Sequence, residues 1–269
     1  MMLALTIAEI SDSKSPFILQ GRPFEESIRK AAEYGFQGIE LQARYALSLD
    51  NPLICLCDDY KIRIVSIATG QACKDGLFLS SSDYIKRNQA INLIKENIAF
   101  SANCNHHPDI MIGLLAGNRE EGQNRKDFYY LLGSSLKEIS DYAKDKQVNV
   151  NLEPVNHLAS NALNTWDQTV ELLDEFHCDQ IKIGLDLFHM RLEEENIERT
   201  IQKYEKRIGC VQLMDDNRKA PGLGNFRFES LIRCIKQSGY GGPIIMECLP
   251  EPDPETAMRV SRQFYCTYF

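Results

Sequence analysis

Eight short apolar runs recur along the chain with amphipathic stretches between them, the alternation that a parallel sheet with crossover helices requires. The runs lie near Leu3–Ala8, Gly38–Leu41, Ile62–Ile67, Ile110–Gly113, Val148–Glu153, Ile181–Asp186, Cys210–Met214 and Ile244–Glu247. Eight parallel strands close a barrel, and α/β barrels typically run to about 250 residues as one unit. The 269 residues here, 43% of them hydrophobic, suffice for the core of a single α/β barrel domain spanning 1–269. Helical spacing is clearest in Phe128, Leu131, Leu132, Leu136, Ile139 and Ala143, with Lys137, Glu138 and Asp141 on the other side. Ile28, Ala31 and Ala32 precede Tyr34-Gly35-Phe36, where Gly35 stands as a helix C-cap before the next strand. Pro250-Glu251-Pro252-Asp253-Pro254 reads as a loop leaving the last strand ahead of a closing helix.

Three of the runs end in an acid. Glu153, Asp186 and Glu247 are each the last residue before a turn or loop. In a parallel α/β barrel the C-terminal strand ends are where catalytic groups from different strands converge. Cys210-Val211-Gln212-Leu213-Met214-Asp215 brings Gln212 and Asp215 to the same level. Three carboxylates and an amide oxygen form a hard, oxygen-rich set suited to Mg²⁺ or Mn²⁺ rather than to a thiolate-bound metal. One such acid alone reads as a solvated loop carboxylate or a helix N-cap. On the fifth, sixth and eighth runs together they read as a metal site at a barrel mouth. Gln212 reads equally as a ligand or as the cap of a turn.

Net charge is −8 and the pI is near 5.3. With no Lys/Arg-dense stripe to offset that charge, a nucleic-acid partner is disfavoured. No stretch approaches the roughly 18 apolar residues of a membrane span, so no membrane partner is expected. The first residues lack a basic region and run into Glu9 and Asp12, which fits a first strand better than a signal peptide. Nine cysteines, an odd number without a Cys-x-x-Cys pair, read as reduced buried thiols of a cytoplasmic protein. His106 and His107, ahead of Pro108, read as solvated loop residues, and His177 as structural.

Four segments in chain order carry a family resemblance: Glu153-Pro154-Val155-Asn156, Leu185-Asp186-Leu187-Phe188-His189-Met190, Asp215-Asp216-Asn217-Arg218 running on to Pro221-Gly222-Leu223-Gly224, and Met246-Glu247-Cys248-Leu249-Pro250. Together they resemble the xylose-isomerase-like superfamily of TIM-barrel sugar isomerases and epimerases. Within it the ketose 3-epimerases look closest, including those acting on D-tagatose, D-psicose and keto-sugar acids such as 5-keto-gluconate. The N-terminal half agrees, through Ala68-Thr69-Gly70-Gln71-Ala72, Asp75-Gly76-Leu77, Ile112-Gly113-Leu114-Leu115-Ala116-Gly117 and Arg119-Glu120. The resemblance implies a single (β/α)8 TIM barrel holding one divalent cation, Mn²⁺ or Mg²⁺, at Glu153, Asp186, Gln212 and Glu247. It implies that Glu153 and Glu247 are the acid/base pair, that His189 and Arg218 contact a small-molecule sugar, and that the chain is a homo-oligomer, dimer or tetramer.

That set suits proton removal next to a ketone. The enediolate formed carries negative charge that a divalent cation stabilises where it develops. A carboxylate on each face lets one take the proton and the other return it to the opposite side, inverting the centre. The planar fork of Arg218 suits a substrate oxygen or carboxylate, and His189 can donate to a hydroxyl. Against these stand plainer readings, a packed histidine and a surface ion pair. The chain departs from the epimerase pattern at Gln212, where a His ligand is usual; the hydroxypyruvate-isomerase branch has Gln there. His157, Ala159 and Arg191 depart as well, which bears on the substrate more than on the reaction class. The alternatives are an aldose–ketose isomerase of the hydroxypyruvate-isomerase kind and a non-catalytic sugar-binding barrel. A damaged-DNA endonuclease of the same broad superfamily would need several metals and many histidines, and five histidines with a charge of −8 argue against it.

Overall fold

The computed structural model describes residues 1–9 and 15–269; Asp12, used above against a leader, lies outside them. Among the described residues the strands are β1 (Leu3–Ala8), β2 (Leu19–Gln20), β3 (Gly38–Gln42), β4 (Arg63–Ala68), β5 (Asp109–Ile112), β6 (Val150–Leu152), β7 (Ile181–Asp186), β8 (Ile208–Leu213) and β9 (Ile244–Met246). The helices are α1 (Phe24–Glu33), α2 (Pro52–Asp59), α3 (Tyr84–Asn103), α4 (Arg125–Lys146), α5 (Trp166–Glu175), α6 (Leu187–Glu193), α7 (Ile197–Lys203), α8 (Phe228–Gln237) and α9 (Pro254–Tyr268). β1 and β3 through β9 pair in sequence order, all parallel, and β1 pairs with β9 to close an eight-stranded barrel. All eight expected runs become barrel strands.

β2 is an addition that two residues were too short to announce. β9 reaches only as far as Leu5 along β1, and β2 takes up the free edge beyond it through Ile7 and Ala8. The fifth strand begins at Val150, two residues later than expected, because the Val148 amide closes α4 by donating to the Ala143 carbonyl at 3.0 Å. A second correction concerns His106. It is buried, its Nδ1 accepts from the Ile64 amide at 2.9 Å and its Nε2 lies 2.8 Å from Asp58 Oδ1. A backbone amide at the start of β4 thus finds its acceptor in an imidazole.

The helix boundaries follow from local chemistry. Asn124 caps α4 through the Asp127 amide, Thr165 and Gln168 form a reciprocal capping box on α5, and Asp253 caps α9 with Pro254 in its first turn. Gly35 takes the left-handed conformation (φ 76°) that ends α1. Phe128, Leu132, Leu136, Ile139 and Ala143 form the buried stripe of α4, as their spacing predicts. Outward residues of the strands pack against these helices, Leu3, Leu5 and Ile7 of β1 among them.

The barrel interior is different in kind. Ala4, Val65, Ala68, Met111, Cys210 and Ile245 form a small separate cluster inside it. Between Ala4 on one side and Ala68 on the other along the strands, the registers place Thr6 beside Glu40 and Glu40 beside Ser66. All three are buried, so a polar layer crosses the barrel interior.

Candidate functional site

Period-two alternation along parallel strands carries alternate side chains inward, and at the C-terminal strand ends those side chains are acids. The Glu153 amide still donates to the Ile112 carbonyl at 2.8 Å, one residue past β6. Asp186 is both the last residue of β7 and the N-cap of α6. Its Oδ1 accepts from the His189 amide at 2.9 Å. Gln212 on β8 is in register with Asp186 on one side and with Ile245 on the other. Glu247 follows β9 directly. The structure thus brings all four sequence-predicted ligands to one end of the barrel, and all four are buried.

The polar atoms there are left unmatched. Glu153 Oε1, Asp186 Oδ2 and Gln212 Oε1 are buried without a hydrogen-bond partner among the described residues. An unpaired buried carboxylate is strongly unfavourable unless a cation accompanies it. Burial first, then the charges of Asp186 and Glu40, raise the Glu153 carboxyl well above the ordinary 4.5, with Arg218 opposing. Glu247 is raised well above 4.5 by burial, then by Asp186, Glu153 and Glu40, again against Arg218. A buried, acid-rich pocket with one nearby guanidinium fits a divalent cation on its oxygen donors.

The pH dependence follows in sign. A raised carboxyl keeps its proton in the fold at a pH where the unfolded chain has released it. The metal-free fold therefore loses stability as pH climbs from about 4.5 through the raised values. A cation must displace those protons, so its apparent affinity rises across the same window. Titration calorimetry of Mn²⁺ into the stripped protein, at a pH within that window and in two buffers of different ionisation enthalpy, should show net proton release. Equal heats in both buffers would remove this account.

Ligand atoms of Glu153, Asp186 and His189 lie within 4.8 Å of one another, so on distance alone this buried triad could hold a metal ion. Hydrogen bonding gives His189 a different part. Its Nδ1 faces the Asn156 backbone amide at 3.2 Å and the Asn156 side-chain nitrogen at 2.6 Å. A backbone amide can only donate, so Nδ1 accepts and the ring proton sits on Nε2. Nε2 lies 3.8 Å from Glu153 Oε1. Burial depresses the imidazole, outweighing the pull of Asp186, and the ring is a neutral donor pointed at the carboxylates. Asn156 is thus the group that sets the tautomer, and it was quoted above only as part of a motif.

Arg218 stands on the loop after β8 in a left-handed conformation (φ 62°), uncommon for a residue with a side chain. Its amide donates to the Asp215 carbonyl at 2.9 Å, and its carbonyl accepts from the Leu249 amide at 2.8 Å. Its guanidinium carbon lies 4.6 Å from the centroid of the Phe188 ring, and it forms no ion pair among the described residues. The plain reading of Arg218 as a surface ion-pair partner is set aside. Asp215, level with Gln212 in sequence, is not part of the ligand cluster. Its carboxylate accepts the amides of Asp216, Gly222 and Phe226 at 2.8, 2.8 and 3.0 Å. It therefore holds the turn that presents Arg218 and that Gly222 belongs to.

Two further residues shape the site without having been singled out. Glu40 is fully buried on β3 and accepts from Thr6 Oγ1 and Gln212 Nε2, each at 3.0 Å. The available signal was a charge inside the apolar run Gly38-Ile39-Glu40-Leu41. Gly113 leaves room for Glu153: a Cβ there would stand 2.4 Å from Glu153 Oε2. Gly113→Ala should therefore displace that carboxylate, and a misplacement near 1 Å at a reacting group costs up to about 10²-fold. We expect Mn²⁺ affinity to fall while the melting temperature changes little; unchanged binding would show that Glu153 has room to spare.

The cavity over these groups has a volume of about 240 Å³, room for about eight waters at ~30 Å³ each. Gln42, Gln71, Lys74, His189, Gln212, Arg218 and the two glutamates are among its lining. A cavity of this size at the mouth of a parallel barrel, with buried acids and one guanidinium in its lining, defines a small-molecule barrel site. A family model described as xylose isomerase-like TIM barrel matches residues 28–268, and the chain belongs to that family. It is 33% identical over 114 residues to an L-ribulose 3-epimerase of Methylomonas sp., covering 42% of this chain and 40% of that protein. It is 26% identical over 151 residues to hydroxypyruvate isomerase of Escherichia coli, covering 55% of this chain and 58% of that protein. The chain thus spans about two fifths to three fifths of the length of these curated relatives. Among solved structures, D-psicose 3-epimerase from Clostridium cellulolyticum, determined with D-tagatose, superposes with a TM-score of 0.82 at 19% identity, covering 100% of this chain and 99% of that one. That likeness establishes the fold.

Proposed function

We propose that residues 1–269 are one barrel domain that epimerises a ketose or keto-sugar acid at the carbon next to its carbonyl, through a cis-enediolate. The observation that carries this reading is the set of unpartnered buried oxygens on Glu153, Asp186 and Gln212, with Glu247 buried at the same end of the barrel. We assign Glu153, Asp186, Gln212 and Glu247 to one divalent cation, Mn²⁺ or Mg²⁺. Bound there, the cation supplies Lewis-acid stabilisation of the charge that develops on the substrate oxygens.

This chain's own residues do the rest. β6 and β9 are separated by β7 and β8 around the barrel, so Glu153 and Glu247 approach a central substrate from different sides. One carboxylate takes the proton from the substrate carbon and the other delivers a proton to the opposite face. Burial makes both better bases than an ordinary carboxylate, nearer the neutral range in which general-base catalysis is efficient. His189 donates its Nε2 proton to a substrate oxygen. Arg218, held over Phe188, presents its fork to a second oxygen or a carboxylate.

Stripped protein reloaded with Mn²⁺ and given L-ribulose, D-psicose, D-tagatose and keto-sugar acids in D₂O should incorporate deuterium at the inverted carbon. Turnover without solvent exchange would point to hydride transfer and overturn the enediolate. A second reading, aldose–ketose isomerisation, is favoured by the amide at Gln212 together with the hydroxypyruvate isomerase relative; product stereochemistry separates the two. The nine free thiols, six of them buried, support a reducing, cytoplasmic setting, and no described helix is long and apolar enough to cross a membrane. A homo-oligomer belongs to the same proposal on family grounds, and sedimentation tests it.

A further inference from the structure

Glu40 is completely buried, has no cation partner among the described residues, and takes no part in the chemistry proposed above. Its Oε1 instead gathers donors from two other strands, Thr6 Oγ1 from β1 and Gln212 Nε2 from β8, both at 3.0 Å. The second of these contacts reaches into the ligand set. A primary amide has a donor end and an acceptor end, and in the interior each seeks its complement. With Nε2 fixed on a carboxylate, Oε1 must face the other way. The Gln212 Oε1 atom is indeed buried with no protein partner, on the residue in register with Asp186. Were the amide reversed, two oxygens would meet at Glu40 and an N–H pair would face the carboxylates of the site, where it repels a cation.

We propose that Glu40 is a positioning residue that sets the polarity of the Gln212 amide, so that β8 offers the site an oxygen rather than a nitrogen. This rests on the reading of Gln212 as a ligand. It also accounts for how an amide can serve in a place where an imidazole is usual. A His at 212 could give one ring N–H to the same carboxylate and turn its other nitrogen inward, the common arrangement in which a carboxylate orients a metal-binding imidazole. Glu40 thereby serves either ligand, and Thr6 keeps its carboxylate in line for both.

The experiment is a double-mutant cycle on Mn²⁺ affinity, measured by titration calorimetry on the stripped full-length protein. Glu40→Ala should weaken binding about tenfold or more when Gln212 is present, and by less than about twofold in a Gln212→Leu background, since coupled residues are non-additive. Glu40→Gln retains an acceptor oxygen for Nε2 while losing the charge. It should bind within about threefold of the native protein, which separates orientation from simple attraction of the cation. Equal losses in both backgrounds, or a Glu40→Gln variant as weak as Glu40→Ala, would overturn the proposal. If Glu40→Ala does not fold, the Glu40→Gln isotherm alone decides, a loss of tenfold or more counting against it. Turnover of a ketose is a separate readout. A native protein that epimerises while the cycle shows no coupling would refute the role of Glu40 and leave the enzymatic reading standing. Metal binding coupled to Glu40 without turnover of any sugar would do the reverse.

Discussion

Glu153→Gln and Glu247→Gln should each lower ketose turnover by about 10²–10⁴-fold, the usual contribution of a positioned proton-transfer group. A glutamine keeps the shape of the side chain and one oxygen donor but cannot accept the proton. Both positions are buried and both carboxyls are raised by burial and by neighbouring acids, so the amide also removes a charge that the fold tolerates poorly. The metal-free variants should accordingly be no less stable than the native protein. The informative contrast is isotopic. If the two carboxylates serve opposite faces, one variant should still exchange the substrate proton with solvent from one epimer while failing to complete the inversion, and the other variant should do so from the opposite epimer. Proton exchange followed by NMR, with each epimer as starting material, checks this. Loss of exchange from both epimers in both variants would overturn the division of proton transfer between two faces, since each variant keeps one of the two proposed bases.

The barrel and its four candidate ligands were legible because they depend on rules that act locally. A strand in a parallel barrel is apolar on its outward face, and an acid closing such a run is conspicuous, as at Leu185-Asp186. What escaped depends on register. Glu40 looks like any charge in a short strand until β3 is laid beside β1 and the barrel closes, so that its carboxylate meets Thr6 on the neighbouring strand and Gln212 across the interior. Asp215 shows the converse. Sequence position puts it near Gln212, yet it lies beyond the end of β8, where three loop amides converge on it. His106 was misjudged for a related reason: its position before Pro108 suggests a solvated loop, and only the tertiary fold places its ring against the Ile64 amide. The tautomer of His189 likewise needed a hydrogen bond across 33 residues of sequence.

Asp186 carries two functions in one carboxylate, and substitutions there should separate them. Its Oδ1 caps α6 through the His189 amide, while its Oδ2 is buried and unpartnered. Asp186→Ala removes both. The lost cap costs about 1 kcal/mol, and the turn that aims His189 loses its tie, so stability and metal binding should fall together. Asp186→Asn keeps an acceptor for the His189 amide, because Asn is as good an N-cap as Asp, but removes the charge from the cluster. In the metal-free state it should melt no lower than the native protein, since it also relieves repulsion with Glu153 and Glu247, both of which feel Asp186. Saturating Mn²⁺ at 100 times its Kd stabilises a native site by about 2.7 kcal/mol; that increment should be present in the native protein and absent from Asp186→Asn. Melting curves of the three proteins with and without Mn²⁺ measure this directly. An Asp186→Asn variant that still gained the full increment would show that Asp186 caps the helix without binding the cation, and the ligand set would have to be rebuilt around Glu153, Gln212 and Glu247.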